Sequence, residues 1–145
     1  MPVEPAHFTL TESGEFEPTQ FAGSHWGDDQ LNGPAVVGLA ARTLELHHGS
    51  PDFMPTRLTV DLFRAARGVP TAVAVRTVRD GRRVRSAECD VVQEGRLIAR
   101  ATLLQYRRSE APPGLYTVTR VSGAARRESI KTTLESAFTT VRLTW

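Results

Sequence analysis

Cysteine is nearly absent. The 145-residue chain has one, Cys89, which excludes an internal disulfide and a cysteine-rich zinc site. Aromatic residues are only 7%, so no base-stacking platform for nucleic acid is visible. No apolar run approaches the ~20 residues of a membrane helix, and no membrane span is expected. Residues 1–5 (MPVEP) lack a basic stretch followed by an apolar one, so no secretory leader is expected and the protein is placed in the cytoplasm. There is no internal repeat and no low-complexity linker. Lysine is also scarce: Lys131 stands beside seventeen Arg.

What is present suits one ordinary globular domain. Hydrophobic residues are 40% and charged residues 23%, enough for a real core. The net charge of +2 hides a polarity. Residues 1–35 hold six acids and no Lys or Arg; the rest holds eighteen bases and ten acids, a balance of +8. Arg forks suit phosphates. Neither an RNP-like aromatic motif nor a helix-turn-helix pattern accompanies them, so no nucleic-acid partner is expected.

Turn and cap signals divide the chain. Residues 7–17 (HFTLTESGEFE) alternate weakly around Ser13-Gly14, as a strand or short hairpin. A breaker-rich loop, GSHWGDD, follows. Asn32-Gly33-Pro34 begins a helix, with Asn as N-cap and Pro in the first turn. Residues 35–41 (AVVGLAA) are apolar nearly all round, the mark of a buried helix. It stops near His48-Gly49-Ser50-Pro51. Four strand patterns come next: 57–65 with Leu58, Val60 and Leu62 on one face, then 71–79, 83–93 and 97–107. In the third, Ala87, Cys89 and Val91 point inward and Glu88 and Asp90 outward. Asp80-Gly81 and Glu94-Gly95 sit where antiparallel hairpins turn.

A helix apolar on all sides needs a curved sheet around it. The order therefore implies an α+β fold, a single hotdog domain with a curved antiparallel sheet wrapped around one long helix. It spans residues 1–110. Residues 111–145 form a C-terminal extension, in which 126–138 (RRESIKTTLESAF) puts Ile130, Leu134 and Phe138 on one helical stripe. An open sheet leaves exposed edges, so a homodimer or higher homo-oligomer is expected.

The segment 27–45, GDDQLNGPAVVGLAARTLE, is similar to the first-domain segment of the TesB-like acyl-CoA thioesterases, approximately W-G-x₄-HGG-P-x-A-x-L-A-R-A-L-E. Residues 55–64 (PTRLTVDLFR) and 78–84 (VRDGRRV) resemble that family too, and the likeness covers about residues 7–110. It implies hydrolysis of an acyl thioester of coenzyme A, with no metal and no cofactor. It also implies a helix N-terminus whose N–H groups meet the oxyanion, and an Asp or Glu as base or nucleophile. The chain departs from the pattern. Asn32 and Pro34 flank Gly33 where the family has HGG, and Pro34 has no N–H to donate. Ala41 stands where related single-domain enzymes carry an Asp. The implied enzymes hold two hotdog domains, and residues 115–145 do not resemble the start of a second.

The candidate catalytic residues are Asn32, Gly33, Asp28, Asp29 and Glu45. Asn32 is either a cap or a group that orients water or a carbonyl. Gly33 either permits a turn or donates to the oxyanion. Asp28 and Asp29 either act as base or complement the helix dipole. Glu45 either pairs with Arg42 or acts as base. For substrate binding the candidates are Trp26, as core or pocket wall, and Ala35 as a backbone donor. Arg79, Arg82 and Arg83 of the RDGRRVR turn are candidates for the coenzyme A phosphates, against a merely solvated turn. Asp61 either faces solvent or turns to the helix, and His25 reads as a solvated loop residue. His47 and His48 are adjacent on a helix with no third ligand, so no metal is expected. Two rival readings stand beside hydrolysis: a non-catalytic acyl-CoA-binding or partner-binding hotdog domain, and a hotdog dehydratase or hydratase.

Overall fold

The computed structural model describes residues 6–110. The expected hairpin is present: β1 (Phe8–Leu10) and β2 (Phe16–Pro18) pair antiparallel. Gly14 closes the turn with φ +82, a conformation that favours glycine. Phe8 and Phe16 point inward and are buried.

Helix α1 (Gly33–His48) starts where its cap predicts. Its other end differs in cause. Gly49 has φ −60, so it is not a left-handed cap. A Cβ there would lie 2.3 Å from Glu45 O, which accepts the Gly49 N–H at 2.6 Å. Close approach, not backbone conformation, demands glycine.

Then come β3 (Phe53–Leu62), β4 (Thr71–Asp80), β5 (Val84–Gln93) and β6 (Arg96–Arg107). All pairings in the six-stranded sheet are antiparallel, in the order β1-β2-β4-β5-β6-β3. β3 begins four residues earlier than the pattern 57–65 suggests. It runs through Pro55, with a register shift before Arg57. Proline is tolerated because β3 is an edge strand, where a missing N–H need not break a ladder bond.

Ala35, Val36, Leu39, Ala40 and Leu44 of α1 pack on the inward residues of the sheet, Ala87, Cys89, Val91, Ala99, Ala101 and Leu103. The alanines let the helix approach closely. Burial is not complete all round as the sequence implies: Val37 and Ala41, four apart on one face, are only half-buried. On β3, Leu58 and Val60 are half-buried and Leu62 is 53% exposed. The outer face of the sheet is polar. Arg100 holds Asp90 through two bonds of 2.6 and 2.9 Å, and Arg76 pairs with Glu88. This is the hotdog arrangement. The stripe expected in 126–138 lies outside the described residues. No helix among the described residues is long and apolar enough to cross a membrane.

Candidate active site

The sixteen-residue helix spans about 24 Å, and its two ends carry different chemistry. At the N-terminus, Asn32 Oδ1 accepts the Ala35 N–H at 2.7 Å. Asn32 Nδ2 donates to Gly23 O at 3.2 Å and to Phe21 O at 3.4 Å. Asn32 is therefore a fully engaged cap. Ala35 is buried and its N–H is spent on that cap. Pro34 has no N–H, so among the described residues Gly33 alone leaves a first-turn donor without a partner. Gly33 lines a hollow of ≈ 350 Å³ with Leu31, Val36, Leu62, Phe63 and Arg64.

The two aspartates before the helix do different things. Asp28 is exposed. Asp29 is held by Arg67 Nε at 2.8 Å and Nη2 at 2.6 Å, and takes the Gly68 N–H at 3.3 Å. The hydrogen bonds from Arg67 hold its carboxyl below the usual 3.8. Such a carboxylate is a weakened base. Trp26 is 91% exposed and is not a core residue. Its loop is tied by backbone bonds and by the Asp29–Arg67 pair, and among the described residues the indole stands in solvent. Asp61 also faces outward and is exposed.

At the opposite end, Glu45, Ala41, Ser50, Phe53, Leu58, Gln105 and Arg108 enclose a cavity of ≈ 190 Å³. Arg42 Nη1 donates to Glu45 Oε2 at 2.8 Å, the ion pair the spacing suggests. Arg108 Nε donates to Pro51 O at 3.1 Å and also lines an outer hollow with Arg83, Tyr106 and Arg107. Arg79 and Arg82 are exposed on the same β4–β5 turn as Arg83. Arg85 points inward: its guanidinium carbon lies 4.1 Å from the Phe53 ring centroid. Its Nε is 2.7 Å from Asp80 Oδ1, but the N–H is not aimed at that oxygen. His48 Nε2 lies 3.2 Å from Thr77 Oγ1, joining the helix end to β4.

The candidates thus fall into two groups. Asn32, Gly33, Ala35, Asp28 and Asp29 gather at the helix N-terminus. Glu45 and Arg79, Arg82 and Arg83 lie toward its C-terminal end. The sequence reading missed Gln105, Arg108, Ser50 and Phe53. A signal for Gln105 existed: 99, 101, 103 and 105 share the inward face of β6, and the last is polar.

A curved antiparallel sheet around one helix, with a cavity at the helix end, defines a hotdog domain. The family model described as the acyl-CoA thioesterase N-terminal domain matches residues 22–106, and the chain belongs to that family. Similar solved structures include a hypothetical thioesterase protein with coenzyme A from Streptococcus pneumoniae, at 15% identity and TM-score 0.58, covering 66% of this chain and 77% of that one. Zebra fish thioesterase superfamily member 2 is 18% identical at TM-score 0.56, covering 65% and 72%. A phenylacetic acid degradation protein from Thermus thermophilus is 22% identical at TM-score 0.57, covering 65% and 85%. At these identities the likeness concerns the fold. No curated relative matches the chain.

Proposed function

We propose that the protein binds an acyl thioester of coenzyme A and, as paired copies in the cytoplasm, hydrolyses it in the manner of TesB-like enzymes. The observation that carries this reading is Arg108, which lines both the cavity beside Glu45 and the outer hollow of Arg83 and Arg107. An acyl group in the cavity would leave the coenzyme A phosphates over Arg79, Arg82 and Arg83. Arg clusters meet such charges by several N–H bonds at once.

Hydrolysis also needs an oxyanion donor, and Gly33 lies most of a helix length from that cavity. A two-fold pairing of free β3 edges removes the separation. Antiparallel strands set the Phe53 end of one copy against the Leu62 end of the other. The Gly33 N–H of the second copy then faces the carbonyl, backed by the positive helix end. Glu45 takes a proton from water; the water oxygen attacks the carbonyl carbon. The C–S bond breaks as the tetrahedral intermediate collapses, and the proton passes to the leaving sulfur. Asn32 and Asp29 hold the turn that presents Gly33.

One observation favours the rival reading of a non-catalytic acyl-CoA-binding module. Ala41 supplies no carboxylate to the cavity, and Glu45 is already engaged by Arg42. The test is a titration with butyryl-CoA read two ways, as heat of binding and as free thiol. Thiol release that stops in Glu45→Gln supports hydrolysis. Saturable binding without thiol supports the module. Absence of binding, or binding unchanged by Arg82→Ala with Arg83→Ala, overturns both the site and the ligand.

A further inference from the structure

Two glutamines sit on the inward face of the sheet, and they differ in one respect. Gln93, at the end of β5, is fully engaged. Its Oε1 accepts the Arg67 N–H at 2.9 Å. Its Nε2 reaches Arg67 O at 2.8 Å, Thr71 Oγ1 at 2.9 Å and Val69 O at 3.3 Å. Gln105, near the end of β6, is just as buried, at 2% exposure. Yet among the described residues no hydrogen bond is made to its amide. It faces the cavity beside Glu45, where Ala41, Phe53, Leu58 and Leu103 are apolar and Ser50 and Arg108 are polar.

The amide is open to the cavity, where water meets it, so a ligand that brings its own polar group replaces those hydrogen bonds and a plain alkyl group loses them. An amide both donates and accepts, so a neutral hydroxyl or carbonyl satisfies it. At ≈ 190 Å³ the cavity is smaller than the about 300–1,000 Å³ of an ordinary ligand pocket, which favours a short acyl group. A long fatty chain does not fit within it.

We propose that this cavity is the acyl pocket and that Gln105 selects short acyl groups bearing a hydroxyl or carbonyl over plain alkyl chains. The proposal rests on the acyl-thioester reading above. Its test compares 3-hydroxybutyryl-CoA, butyryl-CoA and palmitoyl-CoA by equilibrium titration, and by thiol release where it occurs. The expected result is at least a tenfold preference for the hydroxylated ester over butyryl-CoA, with palmitoyl-CoA weakest. Gln105→Leu, folded by circular dichroism, should erase the preference by weakening the hydroxylated ester and strengthening butyryl-CoA. Equal affinities in the parent protein, or a preference that survives Gln105→Leu, overturn the proposal. A second measurement separates it from the thioester reading. The Gln105 side-chain NH₂ resonance, assigned by its loss in Gln105→Leu, is followed by NMR during addition of methyl 3-hydroxybutyrate and methyl butyrate. A shift with the hydroxylated ester alone supports the pocket even if no coenzyme A ester binds, in which case it is the thioester reading that falls. No shift with either ester overturns the pocket.

Discussion

Asn32 Oδ1 accepts the backbone N–H of Ala35 at 2.7 Å, and this one bond decides what both residues do. It completes the start of α1 and removes Ala35 from the set of free donors. Replacing Asn32 with Ala should cost about 1 kcal/mol of stability. For a folded unit of roughly 100 residues that is a fall of about 4–8 °C in Tm. Thiol release, measured beside the melting curve, should follow stability and nothing more. A collapse of turnover in a protein that still melts at the parent temperature would show a direct role for the Asn32 amide.

The same bond marks how far the sequence could be read. The cap, the turn glycine and the period-two alternation of β5 are local, and each was legible because its cause lies within a few residues. The completeness of burial was not. An apolar helix segment does not say which of its faces the sheet leaves open, and Val37 and Ala41 lie on that face. The cavity was less legible still. Glu45 and Gln105 are sixty positions apart, and only the pairing of β6 with β3 and β5 brings Gln105 beneath the helix end.

The half-burial of Val37 has an energetic consequence. Leu39 is fully buried, and Leu39→Ala should cost about 2–5 kcal/mol through lost transfer and a residual cavity. Val37→Ala removes fewer buried atoms and should cost about 1 kcal/mol. Urea unfolding of the two variants checks the order. Equal losses would place Val37 in the core.

Acid should loosen the outer face. Hydrogen bonds from Arg100 lead in holding the Asp90 carboxyl below 3.8; partial burial opposes this and the Arg100 charge adds to it. A carboxyl whose folded value lies below its unfolded value stabilises above the unfolded value. That contribution is lost as pH falls through the folded one. The urea midpoint should therefore hold steady from pH 7 to about 4.5 and fall below about 4. In Asp90→Asn the fall should be smaller. An identical acid profile would show that the pair carries no pH dependence.

Cys89 is 1% exposed, and burial pushes its thiol up to about 11. Thiolate is the reactive form. A disulfide reagent at pH 8 should therefore leave the native protein unmodified and titrate one thiol per chain in urea. Rapid labelling without denaturant would mean that the β5 core opens readily. The inertness is useful, since the thiol released from coenzyme A can then be measured without a protein background.

The β3 edge bears on assembly and activity together. Its ten residues pair with β6 on one side only, and Met54 and Leu62 are 46% and 53% exposed there. An open apolar edge invites another strand, and lysine on such an edge discourages it. Sedimentation of the parent protein at micromolar concentration should show a dimer, and Met54→Lys with Leu62→Lys should shift it to monomer. Association stabilises the folded parent by mass action, so the monomeric double variant should melt lower than the parent and independently of protein concentration. On the proposed pairing, in which Gly33 of one copy would serve the cavity of the other, hydrolysis should fall with dimer content. Removing one oxyanion donor typically lowers turnover about 10²–10³-fold, which sets the size of the loss. Binding of butyryl-CoA to the monomer should persist, because Glu45, Gln105 and Arg108 belong to a single chain. A monomeric parent with full turnover would put the oxyanion donor within one copy and discard the shared site.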